Sequence, residues 1–409
     1  MTYETGVKRL SDFAQVKGGK RVPKGTILSQ VPTPYPYIKV RDMQAEKYLE
    51  RKSAEEYLEE EAWEKLAPYA TKAGDIVVSI VGTVGLICVI GKTMDGASLT
   101  ENCARIVDVQ GMNPDFLYYW LASSHGQNAI RLSAVGAVQA KLSLKNLLNL
   151  PIPYIPREKQ DEMAAVLTAL DNKIAVNLKM NDCLATMAQA TFKTWLLDFE
   201  PFGGKQPTSW REGSLLDIAD YLNGVGMQRF PPEEGAESLP VLKIRELRQG
   251  FCDGESDNCA ATIRSDYIVR DGDVVFSWSG SLLLDFWCGG ACGLNQHLFK
   301  VTSAQYDKWF TYLWTQHHME EFAGIAADKA TTMGHIKREN LYAAKILIPD
   351  DENYRTMGIL IGPLYEKIVQ NRLENRRLTL LRDTLLPRFM DEVAAIAGMK
   401  SIAKGCGRS

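Results

Sequence analysis

Apolar residues follow two different periods along this chain. The runs GDIVVSIV (residues 74–81) and GDVVFSWS (residues 272–279) are short, rich in β-branched residues and preceded by glycine, so they predict strands. Apolar residues spaced alternately four and three apart predict long amphipathic helices from about 157 to 199 and from about 351 to 390. Each helix follows a proline-containing strand end, LPIPYIP or ILIPD. The pattern therefore predicts the α/β (α+β) fold class.

Proline and glycine predict where these helices stop. The first helix is expected to end before the segment 201–204, which contains one proline and two glycines. Gly362-Pro363 predicts a kink or break early in the second helix, because proline lacks the backbone N–H of a helical hydrogen bond. The continuous part is therefore expected from Leu364 onwards. Residues 393–409 are expected to form a disordered tail.

The two helices share a heptad stripe that includes asparagine. The predicted seam positions are Leu170, Ile174, Asn177, Asn181, Leu184, Ala188, Thr191 and Trp195 in the first helix, and Leu364, Ile368, Asn371, Asn375, Leu378, Arg382, Leu385 and Phe389 in the second. A buried amide costs stability but fixes helix register when it meets another amide. Asn177, Asn181, Asn371 and Asn375 are therefore predicted to lock the helices against each other. The alternative is that they are exposed on a wide helix face.

These elements occur twice in the chain. RLSDFA (residues 9–14) matches SLLDIA, IKVRD (38–42) matches LKIRE, GDIVVSIVG matches GDVVFSWSG, and KIAVNLKMN (173–181) matches KIVQNRLEN. The offset between matched segments falls gradually from 205 to 194 residues, as small changes in loop length would cause. The predicted boundaries are 1–155 and 203–349 for two similar globular blocks, and 156–202 and 350–392 for the two helices.

Composition and charge exclude little but favour a cytoplasmic protein. The chain has 409 residues, of which 45% are hydrophobic and 24% charged, with a net charge of −3. No apolar run is long enough for a membrane span, and the first ten residues contain no signal-peptide core. Basic residues are nevertheless concentrated in residues 8–41 and 367–388. These runs indicate either local cationic patches or ordinary solvated faces.

Cysteine spacing does not indicate a metal site. The eight cysteines are irregularly spaced, which in a reducing compartment is typical of small buried side chains. Cys288, Cys292 and His297 lie close together, with Cys252 and Cys259 upstream, but no CxxC pair anchors a zinc site there. We therefore predict no metal site in this chain.

Catalytic motifs are incomplete wherever they begin. Gly91-Lys92-Thr93 resembles the end of a phosphate loop, but Leu86 occupies the position that requires glycine. Residues 113–116 depart from the Asn-Pro-Pro-aromatic pattern of adenine methyltransferases at Asp115, and no acidic-x-Lys motif follows Pro349-Asp350. No HExxH motif or nucleophile elbow is present. We predict no catalytic residue, which favours a role in recognition or assembly.

The order and repetition of these motifs resemble the specificity subunit of type I restriction–modification systems. The resemblance covers about residues 5–392 and rests on RLSDFA, IKVRDM, GDIVVSIVGTVG, the stretch LPIPYIP to LLDF (150–199), and LRDTLLPRFM (381–390). It implies a non-catalytic chain with an internal pseudo-two-fold repeat. Two target recognition domains would be held apart by two long antiparallel helices that form a coiled coil, and would recognise a bipartite, asymmetric DNA target.

The resemblance also implies the partners. They would be double-stranded DNA, two DNA methyltransferase (modification) subunits docked on the helices, and a restriction motor–nuclease subunit. Adenine-specific methylation and ATP-dependent cleavage would belong to those subunits. They would bring S-adenosylmethionine, ATP and magnesium, and this chain would carry no cofactor.

Side chains in matched loops are the candidate DNA contacts. The loop GGKRVPKG (residues 18–25) has the counterpart NGVGMQRFPP (residues 223–232). Lysine and arginine suit phosphates, whereas glutamine and arginine can recognise adenine and guanine edges. For each candidate the alternative is a solvated loop side chain or a structural ion pair. The candidates are Lys17, Lys20, Arg21, Lys24, Arg41, Gln139, Lys141, Gln228, Arg229, Arg245, Thr331, Thr332, His335, Lys337 and Arg338.

Aromatic residues near the helix ends are candidate partner-docking residues, although such residues also fit the core. They are Phe192, Trp195 and Phe389.

Two rival functions are compatible with the sequence pattern. A protein-binding scaffold with two repeated domains on a coiled-coil rod would have the same repeat and heptads. It would not need basic loops. A methyltransferase or nuclease with degenerated motifs is the third possibility.

Overall fold

The computed structural model describes residues 5–43, 46–136, 140–327 and 335–399. The chain divides into two compact units. Unit 1 comprises residues 1–175 with 378–409, and unit 2 comprises residues 176–377. Each unit therefore contains one β-rich block and one part of each long helix. Within the described residues, no helix combines the length and the apolar character needed to cross a membrane.

The described part of unit 1 contains three small sheets. Their strand orders are β2-β9-β6-β7-β4, β5-β3-β8 and β1-β10. Most neighbouring strands are antiparallel, but β3 runs parallel to β8, and β4 runs parallel to β7. The strands are β1 (Gly6–Arg9), β2 (Gln15–Gly18), β3 (Tyr35–Ile38), β4 (Tyr48–Leu49), β5 (Tyr57–Leu58), β6 (Ile76–Ser79), β7 (Ile87–Ile90), β8 (Ser98–Leu99), β9 (Cys103–Val107) and β10 (Pro151–Tyr154).

Five α-helices begin in the described residues of the first half of the chain. They are α1 (Glu60–Leu66), α2 (Pro114–Ala122), α3 (Ser124–Ser133), α4 (Leu144–Leu148) and α5 (Arg157–Phe192). Helix α2 is apolar almost all round and is buried, with Phe116 and Trp120 fully inside the main core of unit 1. Helix α5 passes into a π-helical turn over Lys193–Leu197. Its first part contributes Leu167 to the same core.

Unit 2 repeats the plan of unit 1 with different side chains. Its sheets have the orders β12-β19-β16-β17, β14-β13-β18-β15 and β11-β20. The strands are β11 (Arg211–Ser214), β12 (Asp220–Asn223), β13 (Ser238–Leu242), β14 (Asn258–Ala260), β15 (Ile268–Val269), β16 (Val274–Ser277), β17 (Leu283–Phe286), β18 (Cys292–Leu294), β19 (Leu298–Thr302) and β20 (Lys345–Ile348). The helices are α6 (Leu215–Ile218), α7 (Ile244–Gln249), α8 (Lys308–His317), α9 (Met319–Ala327), α10 (Arg338–Ala343) and α11 (Asp351–Ile396).

The repeated motifs occupy equivalent elements, and they make equivalent bonds. The predicted strands GDIVVSIV and GDVVFSWS form β6 and β16, each antiparallel to two neighbouring strands. Asp12 accepts a hydrogen bond from the Arg9 amide at 2.9 Å, and Asp217 accepts one from the Ser214 amide at 2.6 Å. The sequence repeat is therefore a structural repeat, with mixed α and β structure in both units.

The expected break at Gly362-Pro363 is wrong. Helix α11 runs continuously over 46 residues from Asp351 to Ile396. Packing holds the helix on both sides of the proline, because Ile361, Tyr365 and Ile368 are all buried in the main core of unit 2. Tertiary burial thus offsets the hydrogen bond that proline cannot donate.

The expectation of a disordered tail is also wrong for its first part. Helix α11 continues to Ile396, and Val393, Ala394 and Ala397 are buried in the core of unit 1. Small residues permit close packing here instead of causing fraying. Residues 400–409 lie outside the described ranges.

Candidate DNA-binding surfaces

Each unit has a loop that begins with a glycine packed tightly against backbone. A Cβ atom on Gly19 would lie 2.0 Å from the Thr100 carbonyl oxygen, and one on Gly224 would lie 2.1 Å from the Asn295 carbonyl oxygen. The Gly19 amide donates to Cys103 O and the Gly224 amide to Leu298 O, both at 2.9 Å. Only glycine permits this approach. The two loops are therefore placed equivalently on their sheets.

A second connection brings another candidate to each loop. In unit 1 the Ile80 amide donates to Asn102 O at 2.7 Å, and Val81 forms a β-bridge with Lys141. In unit 2 Ser279 forms the equivalent bridge with His335. We define surface 1 as residues 18–25, 99–102 and 141, and surface 2 as residues 223–229, 278–279, 294–297 and 335.

Surface 1 is basic and contains a carboxylate. Arg21 is 79% exposed, and its Nε lies 2.5 Å from Glu101 Oε1. Burial raises the pKa of Glu101, but the Arg21 guanidinium and local hydrogen bonds outweigh it and lower that pKa overall. An open pocket of about 510 Å³ is lined by both residues together with Arg41. Two sequence-predicted arginines thus share one concave region.

Surface 2 combines amides and aromatic rings with one exposed arginine, Arg229. Trp278 Nε1 donates to Asn223 Oδ1 at 2.9 Å, and its ring centroid lies 5.1 Å from that of His335. Ser279 Oγ lies 3.0 Å from His297 Nδ1. Gln228 and Gln296 approach the same side of the loop, since both Oε1 atoms lie 3.1 Å from the position of a Cβ on Gly226. Such groups can bond to base edges and stack on bases.

Two candidates at matching positions are held in ion pairs. Arg41 Nε lies 3.0 Å from Glu55 Oε2, and Arg245 Nη2 lies 2.7 Å from Glu246 Oε1. Arg245 also donates to Asp253 at 2.9 Å, and its hydrogen bond lowers the pKa of that carboxyl. In this structure both arginines therefore form structural ion pairs, which is the alternative to DNA contact.

The other described candidates are exposed or make only weak contacts, and several of them lie on the two surfaces. Lys17 Nζ lies 3.8 Å from Asp108 Oδ2, and Lys20 Nζ lies 5.3 Å from the centre of the Tyr69 ring. Lys24, Lys141, Gln228, Arg229, Lys337 and Arg338 are exposed. Gln139, Thr331 and Thr332 lie outside the described residues.

Comparison with known proteins agrees with the arrangement. Residues 3–184 match the type I restriction modification DNA specificity domain family. The MjaIX specificity subunit of a type I restriction enzyme from Methanocaldococcus jannaschii is 24% identical over 410 residues, which cover 94% of this chain and 92% of that protein. The HindI specificity subunit from Haemophilus influenzae is 20% identical over 352 residues, covering 68% and 77% respectively. The resemblance to type I specificity subunits is confirmed.

A solved structure supports the fold. The crystal structure of the type I restriction–modification S subunit from M. genitalium superposes with a TM-score of 0.59 at 13% identity, covering 95% of this chain and 96% of that one. At this identity the likeness concerns the fold alone. It agrees with a specificity-subunit architecture of two domains and long helices.

The seam asparagines meet in pairs, as in a register lock. Asn177 Nδ2 donates to Asn375 Oδ1, and Asn371 Nδ2 donates to Asn181 Oδ1, both at 2.8 Å. All four side chains are buried. The pairing proceeds forwards along α5 and backwards along α11, so the helices run antiparallel there. Each of the other predicted seam positions is buried or half-buried as well.

A different polar pair occupies the part of the seam that lies in unit 1. Arg382 Nη1 donates to Asp171 Oδ1 at 2.8 Å, and Tyr119 donates to the other oxygen of Asp171 at 2.5 Å. The nearby Lys47 is fully buried and donates to Asp115 Oδ1 at 2.8 Å. Burial lowers the pKa of Lys47, and Asp115 opposes that shift. Lys47 is not a candidate from sequence, because nothing in its neighbourhood predicts a buried lysine.

The candidate docking aromatics lie against the cores. Phe192 is 5% exposed, with its ring edge-to-face on Trp314 at 5.0 Å, so it belongs to the core of unit 2 and not to a docking surface. Trp195 is half-buried against Phe202 at 5.8 Å, and Phe389 is half-buried against the core of unit 1. Their common feature is contact between a helix end and a β-rich block.

Other residues of the surfaces were not predicted from sequence. Glu101, Trp278, Gln296 and His297 join the surfaces only because strand ends bring them there. The repeat itself contained a usable signal, since the turn after each GD-strand lies at a matched position. Among the described residues, no three cysteine, histidine or acidic side chains gather as a possible metal site.

Proposed function

We propose that this chain is the DNA-recognition subunit of a type I restriction–modification complex, with one half-site of a split target recognised by each unit. The main support for this proposal is that surfaces 1 and 2 have equivalent backbone geometry but different side chains. An equivalent backbone would present each loop to DNA in the same manner. Different side chains would then select different bases, which makes the target asymmetric.

The division into recognition and spacing parts follows the predicted boundaries. Residues 1–155 and 203–349 would be the target recognition domains, and the segments 156–202 and 350–392 would be the spacer helices. The asparagine pairs would fix their register, and so the distance between half-sites. Helix geometry sets half-site spacing in other DNA-binding proteins in the same way.

Catalysis would be supplied by other subunits. Two methyltransferase subunits would dock on this chain and methylate adenine with S-adenosylmethionine. A motor–nuclease subunit would cleave DNA with ATP and magnesium. The proposed complex acts in the cytoplasm, where host DNA is accessible.

Methylation-aware sequencing of the host genome, with and without this gene, tests the proposal. The expected result is loss of adenine methylation at one split, asymmetric motif when the gene is deleted. Restoring the gene should restore the same motif. An unchanged methylome in a strain with an active methyltransferase partner would contradict DNA recognition by this chain.

A salt series separates DNA recognition from the scaffold alternative. Contacts to phosphates release counterions, so the logarithm of the binding constant should fall steeply and linearly with the logarithm of salt concentration. A scaffold without basic loops would bind random duplex weakly and with little salt dependence. Filter binding of the purified chain to a random duplex measures this slope.

A further inference from the structure

Two cysteine thiols of unit 2 are in contact. Cys252 Sγ lies 3.5 Å from Cys292 Sγ. Cys292 is fully buried in β18, whereas Cys252 is half-buried in the loop that follows α7. They are 40 residues apart in sequence, so the contact is tertiary.

The other described cysteines lack this combination of contact and access. Cys88, Cys103, Cys259 and Cys288 are buried, and burial raises the pKa of each thiol. Cys183 is exposed on α5. In contrast, the hydrogen bond with Cys292 lowers the pKa of Cys252, although burial opposes it. A lower pKa increases the thiolate fraction, which is the nucleophilic form.

The loop around Cys252 has open space beside it, and bond formation needs only a short movement. A disulfide requires the sulfur atoms to approach to about 2.05 Å. Gly250 and Gly254 flank Cys252; Gly250 has a φ of +82°, and a Cβ on either would meet no atom within 4 Å. Cys292 is fixed, because β18 pairs with both β13 and β15. Movement of Cys252 alone can therefore close the gap.

We propose that Cys252 and Cys292 form a redox site that a small disulfide, such as glutathione disulfide, converts into an intramolecular disulfide. The Cys252 thiolate attacks one sulfur of the oxidant, forms a mixed disulfide and expels one glutathione thiolate. The Cys292 sulfur then attacks Cys252 Sγ and expels the second. Two protein thiols are oxidised and one glutathione disulfide is reduced to two glutathione molecules, which receive the two protons.

The disulfide would restrain the loop whose Asp253 accepts a hydrogen bond from Arg245. Asp253, the neighbour of Cys252, accepts from Arg245 at 2.9 Å. Oxidation therefore restrains the Arg245 partner against the central strand β18. The disulfide would form whether or not Arg245 contacts DNA.

Peptide mapping of the full chain tests the site. Reduced protein is treated with glutathione disulfide, quenched with N-ethylmaleimide and digested without reduction. We expect Cys252 and Cys292 in one cross-linked peptide pair that has lost two hydrogens, while exposed Cys183 carries glutathione. Cys252 remaining free or stably glutathionylated when Cys183 is fully modified would overturn the proposal.

Single serine variants identify the order of events. In C292S, Cys252 should accumulate as the mixed disulfide with glutathione, because no second thiol can displace it. In C252S, Cys292 should stay free. Glutathione on Cys292 in C252S, with no adduct on Cys252 in C292S, would reverse the assigned order and overturn Cys252 as the nucleophile.

Amide hydrogen exchange tests the restraint on the loop. Residues 250–257 should exchange more slowly in the oxidised chain than in the reduced chain, and α1 of unit 1 serves as the internal reference. Equal exchange in a chain that contains the mapped disulfide would refute the restraint.

Discussion

At the scale of single residues, close packing of a glycine against a neighbouring backbone fixes the position of each surface loop. The side chains on the loop then make the two surfaces chemically different. Gly19 and Gly224 permit the same loop position in both units, because any Cβ atom there would collide with a carbonyl. Arginine and glutamate occupy surface 1, whereas tryptophan, histidine and glutamine occupy surface 2. Recognition by each unit would thus be set by a few exposed side chains on a shared backbone.

Arg21→Ala tests the assignment of surface 1. Arg21 is exposed, so its side chain can be removed without disturbing the core. We expect loss of one phosphate contact, which gives weaker binding to all duplexes and a salt slope that is smaller by about 1. Filter binding in a salt series measures both quantities. Arg157→Ala is the matched control, since Arg157 also pairs with a carboxylate on the surface, at 2.8 Å from Asp161. Relaxed recognition of one base would instead assign Arg21 to base contact, and unchanged binding would remove it from the interface.

Asp350→Ala tests an acid-sensitive cap at the start of α11. Asp350 accepts from the Asn353 amide at 3.0 Å and from Ser209 Oγ at 2.7 Å, and these bonds lower its pKa to about 2. A depressed carboxyl pKa stabilises the folded chain above the unfolded value of 3.8, and that contribution is lost as pH falls towards 2. We expect the variant to melt a few degrees lower at neutral pH.

The pH dependence provides the control for this prediction. The difference in melting temperature between wild type and Asp350→Ala should stay constant from pH 7 to about 4 and narrow below that. Thermal melts at a series of pH values measure it. A difference that persists undiminished at the most acidic pH where both proteins fold would exclude the carboxylate as its source.

At the scale of elements, the long helices combine apolar packing with specific polar pairs. Asparagine pairs lie in the part of the seam within unit 2, and the Arg382–Asp171 pair lies in the part within unit 1. Buried amides and ion pairs are costly when a partner is removed, but restrict the alignments in which all partners are satisfied. We therefore expect the polar positions of the seam to set its register, and the apolar positions to supply most of its packing energy.

Leucine substitutions test the register lock. Changing Asn177 and Asn181 alone removes one buried hydrogen bond from Asn375 and one from Asn371, so we expect a loss of about 1–3 kcal/mol in unfolding free energy. Changing all four to leucine should instead raise stability, since apolar packing replaces all the buried amides.

Register in the fourfold variant is measured by distance distributions between spin labels. Met187 and Ile359 are exposed on α5 and α11 within unit 2 and suit labelling. Wild type should give one narrow distribution and the fourfold leucine variant a broader or multiple one. A single unchanged distribution in that variant would show that the asparagines do not set register.

Pro363→Ala tests how α11 tolerates its proline. Alanine restores a backbone N–H in a helix that is continuous through this position, so the variant should be more stable by about 1–3 kcal/mol. Urea unfolding measures the difference. Reduced stability would mean that the local backbone is adapted to proline, and Glu366→Ala, at another exposed position one turn later, controls for general surface effects.

At the scale of the whole molecule, two units of one plan are built from one chain. Each unit takes a β-rich block and one part of both long helices, so neither helix belongs to one half alone. The proposed function requires two independent recognition events, and the repeat supplies two similar but chemically different surfaces.

Variants of the two surfaces should separate the two half-sites. Lys20→Ala with Arg21→Ala should alter selection in one half of the target, and Gln228→Ala with Arg229→Ala should alter the other half. Binding selection from duplexes randomised in one half at a time measures this. If either pair changed selection in both halves equally, recognition would not be divided between the units.

The periodic features of this protein could be predicted from local sequence. Local spacing predicts the strands, the long helices and the asparagine stripe, because each type of element buries one face at a fixed period. The repeat follows from matched segments in the two halves. The amide positions at Asn177 and Asn181 were predictable for the same reason. Motif order also identified the family that the chain resembles.

The contacts between residues far apart in sequence become visible in the folded chain. Burial of Ile361 and Tyr365 holds α11 as one continuous helix through Pro363, and burial of Val393 orders a segment that local composition marks as a tail. Arg41 and Arg245 are engaged by carboxylates that lie up to 15 residues away in sequence, and Cys252 meets Cys292 across 40 residues. Packing and pairing across such separations depend on the folded neighbours of a residue, which no local pattern contains.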